Sequence, residues 1–168
     1  EKTVRFMGSD LNKVSGLSDL DPNTALFIVS CTKKKIWDSS PTAPDHVPAR
    51  NAYAGGSFRA FLSWIEENQL EQRGFKWMIL SGKYGFIEPW HPIGYYDIRI
   101  DDSSHFPVTE DFLRNQVQQA RWQKTADGKR EGYRLSDYEK IVCVNCSQAY
   151  MDKIRDCFPG GQVMAVGS

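Results

Sequence analysis

The chain has 168 residues, which is about the length of one domain and enough to bury a hydrophobic core. Lys plus Arg and Asp plus Glu balance at 21 each, so the net charge gives no argument for a nucleic-acid, membrane or acidic partner. Four cysteines, an N-terminus without an apolar leader and the lack of any membrane-spanning apolar run predict a soluble cytoplasmic protein with reduced thiols.

The first part of the chain leads into a buried strand. Residues 1–23 alternate only weakly, and we interpret them as an N-terminal arm with a candidate edge strand at residues 3–7. Residues 24–29 form an apolar run that stops abruptly in polar residues, which is typical of a strand buried on both faces. The proline-rich residues 38–49 predict a loop of the kind that often binds ligands.

Two more apolar runs with the same abrupt ending define a domain over residues 24–168. They occupy residues 77–80 and 140–144, and a short strand at residues 162–166 closes the chain. Helical segments separate these runs. This alternation predicts the α/β class, with a single domain in which a mostly parallel central sheet is flanked by helices.

Three helices are predicted from apolar spacing and capping residues. Phe58 begins an i, i+3, i+4, i+7 series that predicts a helix ending near Gly74. Thr109 is the expected N-cap of a helix that runs to about Lys124, and Ser147 is the expected N-cap of the last helix.

Two stretches between these helices have other patterns. Residues 95–100 alternate between apolar and polar side chains and predict a half-exposed strand. Residues 125–132 are polar and rich in turn formers, and they predict a linker.

Small polar residues follow each of the three long predicted strands. Ser30 and Cys31 follow the first, Ser81 and Gly82 the second, and Asn145 the third. Carboxyl ends of parallel strands meet at one edge of a sheet, and open α/β sheets bind ligands there. We therefore predict the functional site at this edge.

The double glycine Gly55-Gly56 precedes the first predicted helix. Free backbone N–H groups and the helix dipole favour a phosphate or carboxylate at such a position. A simple turn is an equally good interpretation of the two glycines.

Cys31 and one lysine of the run Lys33, Lys34 and Lys35 are the candidate catalytic groups. A cysteine at a strand end can be a nucleophile, although a small packing residue is the more common role. A lysine run is usually a solvated surface. One lysine just after a buried strand can instead bind phosphate in a pocket or act as a base or nucleophile.

Cys143 and Cys146 form a CxxC motif that predicts neither a zinc site nor a redox site. The sequence has no second CxxC or spaced histidine pair to complete a zinc site. Cys143 also falls inside a strand pattern, whereas a redox CxxC normally opens a helix. We expect no metal and no cofactor. Asp97 and Arg99 are either a surface pair or part of the site, and the sequence leaves both open.

Taken together, these segments resemble the YaaA-like superfamily. The resemblance rests on SCTKKK after the first strand, ARNAYAGGSFRAF at the first helix, ILSGKYGFIEPWHPIGYYDIRI, and VNCSQAY. It covers residues 26–150 and is most specific over residues 79–97. The superfamily includes peroxide-stress proteins, small domains of unknown function and, more distantly, a domain of archaeosine synthase, which modifies a 7-deazaguanine base in tRNA.

The resemblance implies a set of functional positions. The strand-end pair of the family falls on Ser30 and Cys31, and its lysine falls on Lys35 if the Cys-to-Lys spacing is kept. This chain differs from the peroxide-stress proteins in having Tyr-Asp-Ile-Arg in place of Tyr-Arg, and it has no recognisable helix-hairpin-helix. The other implied positions are Tyr53, Gly55, Ser81, Gly82, Tyr84, Gly85, Tyr96 and Asp97.

The leading hypothesis is a YaaA-like domain that binds a nucleobase, nucleotide or nucleic acid in a strand-end pocket and acts in base modification. One alternative is a non-enzymatic DNA-binding stress-response protein, although zero net charge argues against duplex binding. Another is a small Cys31-dependent transferase or hydrolase that acts on a nucleotide-like metabolite. The substrate, the reaction and the oligomeric state stay open. The supporting cations are Arg50, Arg59, Lys83 and Lys35, and the aromatics able to stack on a base are Tyr53, Tyr84, Trp90 and Tyr96.

Lys35 is expected to differ from Lys33 and Lys34. Successive side chains of an extended or turning loop diverge, so all three cannot enter one pocket. The spacing from Cys31 favours Lys35, and an apolar pair follows it that can anchor the loop.

Overall fold

The computed structural model describes residue 17 and residues 19–105, 107–125 and 127–167, so most of the predicted N-terminal arm, including its candidate strand, lies outside the described residues. The strands are β1 (Ala25–Ser30), β2 (Val47–Pro48), β3 (Lys76–Ser81), β4 (Gly85–Ile87), β5 (Pro92–Ile93), β6 (Arg121–Lys124), β7 (Arg130–Tyr133), β8 (Lys140–Val144) and β9 (Gln162–Val166). The α-helices are α1 (Ile36–Ser39), α2 (Ala49–Ala52), α3 (Gly56–Glu67), α4 (Glu110–Gln118) and α5 (Gln148–Cys157), and short 3-10 helices occupy Ser103–His105 and Leu135–Asp137.

A five-stranded sheet with the order β4-β3-β1-β8-β9 forms the centre of the fold. β1 pairs in parallel with β3 and β8, β8 pairs in parallel with β9, and β4 is antiparallel to β3. The predicted α/β class with a mostly parallel sheet is confirmed. From β1 the chain proceeds to β3 on one side and later returns to β8 on the other side. The boundary between β1 and β8 is therefore a topological switch point, where α/β sheets form ligand crevices.

Both faces of the central strands are buried. Phe27 of β1 packs with α3, its ring centroid lying 6.3 Å from that of Phe61 and 5.6 Å from that of Trp64. Such aromatic contacts contribute about 0.5–1.5 kcal/mol each beyond the burial of area. The next residue, Ile28, packs in a second cluster with residues of α4 and α5, such as Ile154. Burial on both faces explains why these strands are continuous apolar runs.

Two predicted helices end earlier than expected. α3 ends at Glu67 rather than near Gly74, because Gln69 adopts a φ of +52° and the following residues form turns. α4 ends at Gln118 rather than near Lys124. No helix of the described residues has both the length and the apolar character needed to cross a bilayer.

The end of the predicted α4 and part of the predicted linker form a β-hairpin instead. Residues 121–124 are β6 and pair with β7, which overlaps the predicted linker at residues 125–132. The Arg121 guanidinium fixes the hairpin to β4, donating to the Glu88 carboxylate at 2.6 Å and to the Phe86 carbonyl oxygen at 3.3 Å. These long-range contacts favour the strand over continuation of the helix.

The two predicted N-caps precede their helices, and they differ in hydrogen bonding. Thr109 Oγ1 accepts the backbone N–H of Phe112 at 3.1 Å, which confirms the cap of α4. Ser147 precedes α5, but among the described residues its side chain accepts no capping hydrogen bond. The start of α5 therefore keeps an uncapped first turn.

The predicted strand at residues 95–100 is wrong, because this stretch is irregular. The alternation itself is present, since Tyr96 and Ile100 are buried between exposed neighbours. Tyr96 packs in the core cluster that contains Tyr53, whereas Ile100 packs in the second cluster, with residues of α4 and α5. The backbone between them passes so close to Gly82 that a Cβ there would overlap the carbonyl oxygen of Ile98. Alternating burial arises here without sheet pairing.

Candidate functional site

A cavity of about 240 Å³ lies at the carboxyl ends of β1 and β8, at the switch point of the sheet. It brings Ser30, Cys31 and Asn145 together, as the strand-end argument predicts. Ser81, at the end of β3, is fully buried and is not part of the lining. The other residues of the lining are Thr32, Lys33, Lys35, Asp97, Ile98, Arg99, Ser147 and Tyr150.

Lys35 contributes a buried cation to the wall of this cavity. Its exposed fraction is 1%, whereas Lys33 and Lys34 are exposed. The Lys35 Nζ donates to the carbonyl oxygens of Thr32 at 3.2 Å and Lys33 at 3.1 Å, and it lies 4.4 Å from the centroid of the Tyr96 ring. Lys35 therefore differs from both neighbours in burial, although Lys33 also contributes to the lining, and the greater importance of Lys35 for binding stays a prediction.

The surroundings of Lys35 lower the pKa of its side chain. Burial lowers the pKa of Lys35 below its ordinary value, and the charges of Cys31, Asp97 and Asp38 oppose this shift without cancelling it. An ammonium has three N–H donors, and two of them are used by the carbonyl oxygens. One donor is therefore left for a ligand.

The loop that carries Lys35 is fixed by backbone contacts. Lys35 forms an antiparallel bridge with Tyr53, and Asp38 Oδ2 accepts the Lys35 backbone N–H at 2.9 Å. Trp37 packs against the core, and its indole N–H donates to the Pro44 carbonyl oxygen at 2.8 Å. The residues after Lys35 anchor the loop, as predicted.

A chain of buried hydroxyl groups supports Lys35 from the side of β3. Ser81 Oγ accepts the backbone N–H groups of Lys83 and Tyr84, both at 3.1 Å, and donates its own proton to Tyr96 Oη at 2.7 Å. Tyr96 Oη also shares a hydrogen bond with Tyr53 Oη at 2.6 Å, in which either hydroxyl can be the donor. Burial raises the pKa of both tyrosines, which keeps the two phenols neutral.

Cys31, the candidate nucleophile, has a half-buried side chain at the cavity. Its backbone N–H donates to the Leu80 carbonyl oxygen at 3.1 Å, and its Sγ lies 3.4 Å from Tyr150 Oη. Burial raises the pKa of Tyr150, so this phenol stays neutral, and either the phenol or the thiol can be the donor in its contact with the sulfur. Cys31 also packs against the core, so both of its expected roles fit its position.

The CxxC cysteines are separate from the cavity. Cys143 is buried within β8, and Cys146 is buried with its Sγ 3.6 Å from the Val144 carbonyl oxygen. Their thiols are free. Within the described ranges, no three His, Cys, Asp or Glu side chains gather in a group that could hold a metal ion.

Asn145 and Gly55 hold the start of α3 beside the cavity. Asn145 adopts a φ of +56°, and its Nδ2 donates to the Ser57 carbonyl oxygen at 3.2 Å. The Gly55 N–H donates to Thr32 Oγ1 at 3.3 Å, and a Cβ on Gly55 would lie 2.7 Å from the Thr32 Cβ. Gly55 and Gly56 lie outside the lining, so the anion seat at this helix stays a prediction.

Several other predicted binding residues also lie away from the cavity. Arg50 pairs with Glu71 at 3.0 Å and lies 5.8 Å from the Trp77 ring. Gly85, with a φ of +75°, packs against Gln116, because the turn after β3 directs the chain back as β4. Tyr53 and Tyr96 contact the Lys35 ammonium with their rings, whose centroids lie 5.9 and 4.4 Å from Nζ. The remaining predicted residues outside the lining are Arg59, Gly82, Lys83, Tyr84 and Trp90.

The sequence interpretation missed Thr32, Ile98, Ser147 and Tyr150 as cavity residues, and it treated Lys33, which also lines the cavity, as a solvated residue. Tyr150 lies on the apolar side of α5, where its periodicity is the same as that of a core residue. Its position three residues after the predicted N-cap Ser147 is the signal that it faces the strand ends. For Thr32 the only signal is that it follows Cys31.

Fold and cavity together define an α/β protein with a polar pocket at its switch point. No family model matches the chain, and no solved structure matches it. The chain is similar to the uncharacterized protein YfjM of Bacillus subtilis (strain 168), with 36% identity over 92 residues. The match covers 54% of this chain and 57% of YfjM, so the chain spans little more than half the length of that relative.

Proposed function

We propose that the chain is a YaaA-like domain, comprising residues 24–168 with helices flanking the sheet, that binds a nucleobase or nucleotide and acts in base modification. The observation that carries the proposal is one cavity at the switch point that gathers Cys31, the buried Lys35, Asp97 and Asn145. Crevices at such points are the usual ligand sites of open α/β sheets.

The size of the cavity limits the ligand. Its volume of about 240 Å³ is below the range of about 300–1,000 Å³ that is usual for pockets enclosing drug-sized ligands. One ring system with polar substituents therefore suits the cavity, and the rest of a nucleotide would lie at its mouth. This argument favours a single base over a dinucleotide.

The polar groups of the lining suit a base and a phosphate. The Asp97 carboxylate accepts N–H groups, the Lys35 ammonium donates, and the Asn145 amide does both. Lys33 and Arg99 are exposed at the rim, where a phosphate would meet them. The proposal places the base inside the cavity and the phosphate at this rim.

Cys31 and Lys35 are the groups to which the proposal assigns the chemical step. The Cys31 sulfur is next to the Tyr150 phenol at 3.4 Å and faces a cavity that also contains the Lys35 ammonium. In the proposed step the Cys31 thiolate, stabilised by the Lys35 ammonium, adds to a double bond of an electron-poor ring, and the Tyr150 phenol gives a proton to the ring atom that receives the electron pair of that double bond.

Thermal unfolding with a panel of bases, nucleosides and nucleotides tests the binding proposal. A ligand at 100 times its Kd stabilises the folded state by about 2.7 kcal/mol. At about 2–4 °C per kcal/mol for a chain of this length, the Tm should rise by about 5–11 °C. Inorganic phosphate at equal ionic strength is the control, and it should give a smaller shift. If no member of the panel raised the Tm at millimolar concentration, the proposal would be wrong.

A further inference from the structure

A second surface lies outside the strand-end cavity and shares no residue with its lining. We call it the tryptophan surface and define it as Trp90, Trp122, Gln123, Lys124 and Arg130, around a cavity of about 440 Å³. The exposed fractions of Trp90 and Trp122 are 43% and 57%. Single exposed apolar residues need no explanation, but two exposed indoles at one cavity mark a binding surface.

Two unneutralised cations accompany the indoles. Lys124 and Arg130 lie directly opposite each other in the hairpin, on the same face as Trp122. Like charges at such positions repel each other and destabilise a hairpin. In the described part of the chain neither forms an ion pair, and Glu71, which also lines the cavity, is held by Arg50 at 3.0 Å. An anion placed between the two cations would remove their repulsion.

The contacts of Trp122 leave part of its indole ring free to bind a ligand. The Trp122 indole covers Gly132, where a Cβ would lie 3.1 Å from the ring, and the Arg130 guanidinium lies 5.1 Å from the ring centroid. The contact with Gly132 buries part of the Trp122 indole, but more than half of the side chain stays exposed to solvent.

We infer that the tryptophan surface binds single-stranded nucleic acid. An unstacked base would lie against the indoles, and the phosphate backbone would contact Lys124 and Arg130. Base stacking on aromatic side chains, combined with cations along the backbone, is the usual basis of single-strand binding. A proline-rich peptide also docks on aromatic grooves, but a neutral peptide would leave the opposed cations unneutralised. The inference does not rest on the strand-end cavity or its ligand.

Fluorescence anisotropy with a labelled oligothymidylate of about 12 nucleotides tests this inference on the whole chain. Trp122→Ala and Trp90→Ala should each weaken binding by about 5- to 150-fold, because each removes one stacking partner. Arg130→Gln should weaken binding and reduce the slope of log affinity against log salt by about 0.7. Trp90 and Arg130 are exposed, so Trp90→Ala and Arg130→Gln should melt like the wild type. Trp122→Ala also uncovers Gly132, so its binding is measured well below its own melting temperature.

Phe112→Ala and Arg59→Gln are the matched controls. Phe112 has a similar exposed fraction of 46%, Arg59 is an exposed cation on α3, and both lie outside the tryptophan surface. Both controls should bind the oligonucleotide like the wild type. No binding at low salt, equal losses in variants and controls, or binding of a polyproline peptide in place of the oligonucleotide would each overturn the inference. None of these outcomes bears on the nucleotide panel, which reports on the other cavity.

Discussion

Replacement of Lys35 by methionine is the most direct test of the strand-end cavity. Methionine is unbranched and fills the same buried space, while it removes the charge and the N–H donors. A hydrogen bond from a charged group contributes about 1.5–3 kcal/mol. The Kd for the tightest nucleotide of the panel should therefore rise by about 10- to 150-fold, measured by isothermal titration calorimetry.

The pKa of Lys35 adds a dependence on pH. Because burial lowers this pKa, the ammonium loses its proton at a lower pH than an ordinary lysine does. Affinity of the wild type for an anionic ligand should fall as the pH rises through the lowered pKa, and affinity of Lys35→Met should not. Stability should change in the opposite direction, since the unfolded chain binds more protons than the folded chain between the lowered pKa and 10.5. The free energy of unfolding of the wild type, relative to Lys35→Met, should therefore increase with pH over that interval.

Lys34→Met is the matched control for both measurements. Lys34 is in the same loop but is exposed, and an exposed charge contributes at most about 1 kcal/mol, or about fivefold in Kd. Circular dichroism melts of both variants check that the fold is retained. Equal losses of affinity in the two variants would indicate a diffuse cationic surface, and an unchanged Kd in Lys35→Met would refute contact between this ammonium and the ligand.

Two further substitutions test the packing behind the cavity. Gly55→Ala places a Cβ 2.7 Å from Thr32 and should lower the free energy of unfolding by about 1–3 kcal/mol in urea titrations. Gly56→Ala, whose Cβ meets nothing within 4 Å, should not, and equal losses would contradict the packing. Tyr96→Phe removes the central hydroxyl of the buried chain and should cost about 1–3 kcal/mol. The exposed Tyr95→Phe should stay within about 0.5 kcal/mol, and a similar loss there would argue against the hydroxyl chain.

The sequence predicts those parts of the fold whose burial is visible in the local pattern of apolar and polar residues. β1, β3 and β8 are buried on both faces, so each is a continuous apolar run whose end is visible as a change to polar residues. The meeting of Ser30 and Cys31 with Asn145 then follows from parallel pairing alone. Thr109 was predictable for the same reason, since a cap acts within one turn.

The parts that the sequence does not predict depend on contacts between distant segments. β6 is polar and short, and Arg121 is held by Glu88, which lies 33 residues earlier in the chain. No local pattern distinguishes such a strand from the last turn of an amphipathic helix. The prediction for the stretch around Tyr96 failed in the opposite way, because its alternation reflects the burial of Tyr96 and Ile100 in two different core clusters rather than sheet pairing. Lys35 is an intermediate case. The sequence predicts that it differs from Lys33 and Lys34, but it does not predict that aromatic rings surround its ammonium.

The support around Lys35 explains why a cation at this position is suited to binding. Among the described residues no carboxylate forms an ion pair with the buried Lys35 ammonium, and two carbonyl oxygens and the Tyr96 ring offset only part of the cost of its burial. The backbone bridge to Tyr53 and the hydrogen bonds from Ser81 through Tyr96 to Tyr53 join the ends of β1 and β3 beneath it. A ligand therefore meets a cation that is already ordered, and little conformational entropy is lost on binding. An anionic or electron-rich group would also relieve the remaining cost of burial, which is why affinity should depend on Lys35 far more than on the exposed Lys34, which lies outside the lining.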